Sequence, residues 1–208
     1  MNVLNEKQLQ ILQVAEKLFA EIGFDGTSIR NIAKEAKINI AMVSYYFGSK
    51  ERMLEALVLS RTSDLKMQLV SILNESAEPM EKLDKLLDLY MDRIIKNRGL
   101  YQIVNSESVN HKRALNFHSF TEVKKQNLES LQKIVAQGQE KGIFRKDVNV
   151  ALIPAMIFGT YFQFYNGRAL YKQVFNLKTE LEFNNYIKNE LTTHIKQTVK
   201  ALLTHEIK

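Results

Sequence analysis

Between Thr27 and Leu54 the chain reads TSIRNIAKEAKINIAMVSYYFGSKERML. Five cations, Arg30, Lys34, Lys37, Lys50 and Arg52, stand there against two carboxylates, Glu35 and Glu51. Tyr45 and Tyr46 add two phenolic hydroxyls just before the GSKE that carries Lys50. The two hydroxyls can reach phosphates, and Lys50 is a cation beside the N-terminus of the helix that follows, both of which attract phosphate. The chemistry of this stretch is therefore that of a polyanion contact. The excess is local: residues 1–60 hold seven Lys/Arg and seven Asp/Glu, although the whole chain carries +6 with a pI near 9.3.

The elements that must position these groups are short. Residues 5–22 place Ile11, Ala15, Leu18 and Ile22 at helical spacing and end at Gly23, a residue suited to a helix terminus. A second helix is expected over 28–36, capped by Ser28 but without a capping box, since Asn31 stands where its Glu would be. A third is expected over 40–46, capped by Asn39, and only about three residues separate the two. Two short helices so joined form a helix-turn-helix candidate: the first braces on the DNA backbone and the second enters the major groove. Tyr45 has a second reading, as a core residue of this unit.

The rest of the 208 residues reads as further helices. A fourth runs over 49–74, capped by Ser49. Pro79 opens a fifth with Leu83, Leu87, Tyr90 and Ile94 on one stripe, and Gly99 begins a shorter sixth. A seventh spans 114–140 and stops at GQEKGIF, which holds Gly138 and Gly142. The eighth, 147–168, is apolar nearly all round, and the ninth carries Phe183, Ile187, Leu191, Ile195, Val199 and Leu202. The expected fold is all-α, with about nine helices: an N-terminal three-helix helix-turn-helix domain followed by a larger helical domain. Helices eight and nine have more apolar surface than one chain readily covers, so a homodimer through both is expected.

Composition excludes several classes. There is no cysteine, hence no disulfide framework and no thiolate chemistry. The most apolar run, Val150 to Tyr165, has 16 residues, short for a hydrocarbon core of about 30 Å, so a cytoplasmic protein is expected. No Gly-rich phosphate loop, HExxH or G-x-S-x-G is present, and His111, His118, His194 and His205 are not at metal spacing. No enzyme, cofactor or metal is expected. The competing class is a helical ligand-binding or adaptor protein whose N-terminal corner leaves DNA alone; steeply salt-dependent DNA binding separates the two.

The stretch resembles the N-terminal domain of the TetR family of transcriptional repressors. The resemblance rests on Gly23, Phe24, Thr27, Ser28, Ile29, Ile32, Ala33 and Ala36, continuing through Ile38, Val43, Tyr45, Tyr46, Phe47, Ser49, Lys50 and Glu51. It covers roughly residues 8–55. Lys37 stands where the family usually has glycine, a departure that costs up to about 1 kcal/mol if the backbone there needs φ > 0. Asn39 replaces a Ser or Thr cap, Ser44 a common Tyr, and Tyr46 a common His.

The resemblance implies roles by position. Thr27, Ser28, Tyr45, Tyr46 and Lys50 would hold phosphates, Arg30 would reach a guanine edge, and Asn39, Ala41, Met42 and Ser44 would face the groove. It implies a DNA-binding domain over 1–50, and a domain over 51–208 that dimerises and binds a small-molecule effector. Tyr90, Tyr101, Phe117, His118, Phe120, Phe158, Tyr161, Phe162 and Tyr165 are the candidate effector contacts, suited to an apolar or amphipathic molecule; ordinary core is the alternative for these aromatics. A repressor that binds a palindromic operator as a dimer and leaves it on binding effector is the function so implied.

Overall fold

The structure is a computed structural model and describes residues 4–62, 65–110 and 118–204. Among these it is all helical, with no strand. The chain divides into two compact units, Met1–Lys66 with Lys96–Lys124, and Met67–Ile95 with Lys125–Lys208.

The first unit holds α1 (Glu6–Gly26), α2 (Ile29–Glu35), α3 (Ile40–Phe47), α4 (Lys50–Thr62) and α7 (Arg98–Asn110). Asn5 caps α1 with a full capping box through Gln8, a signal local enough to have been read from the sequence. α1 breaks where expected: Gly23 has φ +80 and ψ 163, backbone that a side chain resists. Ile11, Leu12, Ala15 and Phe19 of α1 bury against Ile32 and Ala33 of α2, Val43 and Phe47 of α3, Leu54 and Leu57 of α4, and Leu100, Ile103 and Val104 of α7. Each large side chain there removes enough apolar surface for about 1.5–3 kcal/mol. α2 and α3 are thus built into a five-helix core rather than a three-helix one.

The turn between α2 and α3 carries the expected cost. Lys37 has φ +55, Ile38 N–H donates to Ala33 O at 3.0 Å and Lys37 N–H to Lys34 O at 3.1 Å. These two bonds close a Schellman ending, which wants glycine at the left-handed position. Lys37→Gly is expected to raise stability by up to about 1 kcal/mol, the left-handed penalty less the extra chain entropy glycine brings. A urea midpoint at or below that of the parent would count against it.

The second unit holds α6 (Pro79–Lys96), the last part of α8 (His118–Glu140), α9 (Ile153–Asn166), α10 (Arg168–Val174), α11 (Glu180–Tyr186) and α12 (Thr192–Thr204). α5 (Leu65–Asn74) follows residues 63–64, which fall inside the expected fourth helix, and begins in the first unit. Leu83, Leu87, Tyr90 and Ile94 of α6 are buried, as their spacing requires. Lys82 is buried too, its Nζ donating to Leu73 O at 2.9 Å and Gln137 Oε1 at 3.3 Å. Lys200 bonds Asp84 at 2.6 Å, and Lys196 bonds Asp88 at 2.6 Å, tying α12 to α6. Burial works against the Lys196 charge, yet the Asp88 hydrogen bond and the two aspartate charges hold its pKa above the usual lysine value.

Two expectations change here. The eighth helix, read as one rod over 147–168, is a 3-10 turn (Val150–Leu152), then α9, then a break at Gly167. α8 ends at Glu140, where the seventh helix is expected to end, and Gly138 lies in its last turn beneath the ring of Phe144. A Cβ at Gly138 would sit 2.0 Å from Phe144 Cδ2 and 2.4 Å from Cε2, and Gly138 O accepts from both Ile143 N–H and Phe144 N–H, so the returning chain is pinned. Gly138→Ala is therefore expected to destabilise by about 1–3 kcal/mol despite alanine's better helix propensity. A thermal midpoint equal to the parent's would mean that the ring moves aside freely.

The second change concerns the late stripe. Phe183, Ile187, Leu191, Ile195 and Val199 are all buried inside the single chain, followed by Leu203 rather than Leu202. They face this protomer's own core and are not available to a partner. Their constant spacing of four overshoots a 3.6-residue turn by about 40° each step. A π turn, Ile187–Leu191, joins α11 to α12 without a break, winds less per residue and takes up part of that drift.

Candidate nucleic-acid interface

α2 and α3 are held from three sides. Ser28 caps α2 by accepting from Asn31 N–H at 3.1 Å, and Asn39 caps α3 by accepting from Ala41 N–H at 2.8 Å. From α1, Gln10 Nε2 donates to Ala36 O at 3.0 Å, and Lys17 pairs with Glu35 at 3.2 Å. Ile32, Ala33, Ala36, Val43 and Phe47 are buried, which fixes the opposite face of each helix outward.

That outward face carries Arg30 on α2, and Ile40, Ala41, Ser44 and Tyr45 on α3, all exposed, with Asn39 exposed at the cap. Met42 and Tyr46 are half-buried. Tyr45 is 84% exposed, which removes its reading as core, and its ring stands edge-on to Tyr46 at 5.6 Å. Tyr46 packs against the core cluster of the unit while keeping partial access to solvent.

Two expected phosphate contacts have other employment. Thr27 is 1% exposed and its hydroxyl donates to Gly23 O at 2.8 Å, so it clamps the α1–α2 turn from inside and leaves the set of candidate phosphate contacts. Lys50 donates to Phe24 O at 2.7 Å and to Thr27 O at 2.6 Å, with its Nζ 4.6 Å from the centre of the Phe24 ring. Two of its three ammonium hydrogens thus serve the carbonyls that end α1, and one is left for a phosphate. At the other end of α4, Arg61 makes two bonds to Glu16 Oε2, at 3.0 and 2.7 Å. α4 is therefore tied to α1 at both ends.

Ile40 was missed by sequence reasoning. Its signal was its phase: it shares a helix face with Ser44 and lies off the one carrying Val43 and Phe47, and it is 44% exposed. Lys50's carbonyl partners lie 26 and 23 residues away along the chain, beyond any local pattern.

The candidate effector residues fall apart into two groups. Tyr101 packs on the core of the first unit. Tyr90 belongs to the second unit, where its hydroxyl donates to Asn127 O at 2.9 Å. Tyr161 is fully buried, while Phe158, Phe162 and Tyr165 are half-buried beside it on α9, the first two rings stacked at 6.4 Å. Phe117 lies outside the described residues, as do the side chains of His118 and Phe120 at the start of α8. Among the described residues no helix is long and apolar enough to cross a membrane, and no cluster of His, Asp or Glu suits a metal ion.

Residues 11–57 match the model of the bacterial regulatory proteins of the tetR family, and residues 79–199 that of the tetracyclin repressor-like C-terminal domain. The chain is 29% identical over 166 residues to the HTH-type transcriptional repressor NicS of Pseudomonas putida, covering 76% of this chain and 74% of that one. Its fold is similar to that of the fatty acid degradation regulator FadR from Bacillus halodurans, with a TM-score of 0.71 and 24% identity over 99% of this chain and 100% of that one. FadR from Bacillus subtilis in complex with stearoyl-CoA gives a TM-score of 0.66 with 21% identity, over 93% and 97% of the two chains.

Proposed function

The chain belongs to the TetR family of bacterial regulatory proteins and is a ligand-responsive DNA-binding transcriptional regulator, and from that premise we propose that it is a cytoplasmic repressor whose homodimer binds a palindromic operator and leaves it on binding a small apolar or amphipathic effector. The observation that carries the operator-binding part is the outward face of α2 and α3, exposed, without a carboxylate anywhere on α3, and held by two caps and two ties from α1. Residues 1–50 read DNA; residues 51–208 bind effector and dimerise. Ser28, Tyr45, Tyr46 and the last hydrogen of Lys50 meet phosphates, while Arg30, Asn39, Ala41, Met42 and Ser44 face base edges.

For dimerisation, the outer faces of α9 and α12 replace the late stripe. Leu152, Ala155, Gly159 and Gln163 lie exposed along one side of the 3-10 turn and α9, and a Cβ at Gly159 would meet nothing within 4 Å. Small residues on such a face let a partner helix come close. Two heads held about 34 Å apart enter successive major grooves. Because α4 is tied to α1 at both ends, Lys50–Thr62 travels with the head, and an effector near Phe158, Phe162 and Tyr165 releases DNA by changing the spacing of the two heads.

The test is a set of duplex titrations against operator mutants. Tyr46→Phe keeps the packed ring and removes one hydroxyl, so it should weaken every duplex alike, by about three- to tenfold per half-site. Arg30→Ala should instead relax preference at one base pair per half-site, a discrimination of about 1–3 kcal/mol. Uniform loss for Arg30→Ala would remove it as a base reader. Stearoyl-CoA is the first effector to try, on the strength of the Bacillus subtilis complex. Linkage requires operator to weaken its binding by the factor with which it weakens operator binding; equal calorimetric affinity with and without operator would sink the release mechanism for that ligand.

A further inference from the structure

That α3 reads DNA leaves open what it reads there. In the major groove each base pair shows hydrogen-bond donors and acceptors, and only thymine shows an apolar group, its C5 methyl. Side chains that discriminate by hydrogen bonding do so in pairs of bonds, Arg or Lys on guanine and Asn or Gln on adenine. The exposed face of α3 has no such side chain. From Ile40 to Phe47 there is no Arg, Lys, Asn, Gln, Asp or Glu. Asn39, at the cap, has its Oδ1 occupied by Ala41 N–H at 2.8 Å. While Oδ1 holds the cap the amide is oriented by Ala41 N–H, so a two-bond grip on adenine competes with the cap, and the NH2 by itself makes one undiscriminating bond. Ser44 can donate to or accept from any base.

What α3 offers instead is apolar. Ile40 is 44% exposed and Ala41 beside it is exposed, both in the first turn, the part of a reading helix that meets base edges. Leu9, Ile22 and Leu59 are exposed in the same unit too, but Ile40 is the one of these aliphatic side chains that stands on the first turn of α3. Resting on the reading that α3 enters the major groove, we infer that this protein selects its operator through thymine methyl groups: each half-site presents A·T pairs to Ile40 and Ala41, and only Arg30 on α2 demands a G·C pair. The operator is A·T-rich under α3 and its recognition there is hydrophobic.

The experiment uses the full-length protein. Duplexes are selected from a random library, and each thymine of the winning sequence is then replaced by deoxyuracil, which lacks only the methyl. One or two thymines per half-site should lose about fourfold in affinity each on that change, the value of one buried methyl. In Ile40→Ala one of those positions should become indifferent to the change, while the melting temperature stays at that of the parent because the side chain is exposed. Two results overturn the inference while leaving DNA reading intact: selected half-sites that are G·C-rich beneath α3, or affinity unchanged at every deoxyuracil. Selection of no sequence at all overturns both the operator-binding reading and the inference built on it.

Discussion

Leu191→Glu will unfold the second unit of the chain rather than split a dimer. Leu191 is 5% exposed in the single protomer, between the buried Ile187 and Ile195. A carboxylate placed there has no partner of opposite charge in the stripe, and burying an unpaired charge costs several kcal/mol or forces the group to take up a proton. That is a large part of the 5–15 kcal/mol by which a domain is stable. Circular dichroism should show loss of helix, or a melt lowered by more than 10 °C, at all protein concentrations. Gly159→Glu is the contrasting variant: it meets open space, improves helix propensity and should leave the protomer folded while shifting ultracentrifugation toward monomer. A Leu191→Glu protein that keeps the parental melt and sediments as a monomer would return the late stripe to the dimer seam.

Lys50→Met should loosen the DNA-reading head before any DNA is added. The change keeps most of the aliphatic stem and removes both bonds to Phe24 O and Thr27 O, together with the cation above the Phe24 ring. Hydrogen bonds to a charged group contribute about 1.5–3 kcal/mol each when buried. Lys50 is only half-buried, so water recovers part, and a net loss of about 1–3 kcal/mol is expected. Hydrogen exchange at α1 and α2 should report it. The phosphate role is read separately, from the salt dependence of operator binding. Removing one cation from a phosphate makes the slope of log K against log[salt] shallower by about 0.9. Lys50→Arg keeps the charge but is a planar fork poorly matched to two carbonyls converging on one nitrogen. It should preserve the salt slope while losing stability. If Lys50→Met melts and exchanges as the parent does, the two carbonyl bonds contribute nothing, whatever happens to the slope.

The head was the most legible part of the chain. Gly23, Ser28, Asn39 and the three-residue turn are local signals: a backbone at positive φ, or a side-chain oxygen two or three residues from the N–H it caps. The cost at Lys37 was legible for the same reason, since a helix ending closes within six residues. The burial of Leu83, Leu87, Tyr90 and Ile94 followed from helical period alone.

Sequence by itself determined which faces are apolar and where α2 and α3 begin and end, because both follow from interactions over one or two turns. Tertiary structure alone decided what each face meets. Periodicity made the stripe from Phe183 to Val199 a buried one, yet a stripe buried by the same chain and one buried by a partner have the same spacing; the packing of this protomer chose the former. Thr27 and Lys50 carry groups that suit phosphate, but the end of α1 presents carbonyls to one ammonium and Gly23 O to one hydroxyl, and these nearer acceptors take them. Gly138 belongs to the run where α8 is expected to end and does end; that it is also a seat for Phe144, six residues on, is something only the folded turn brings about.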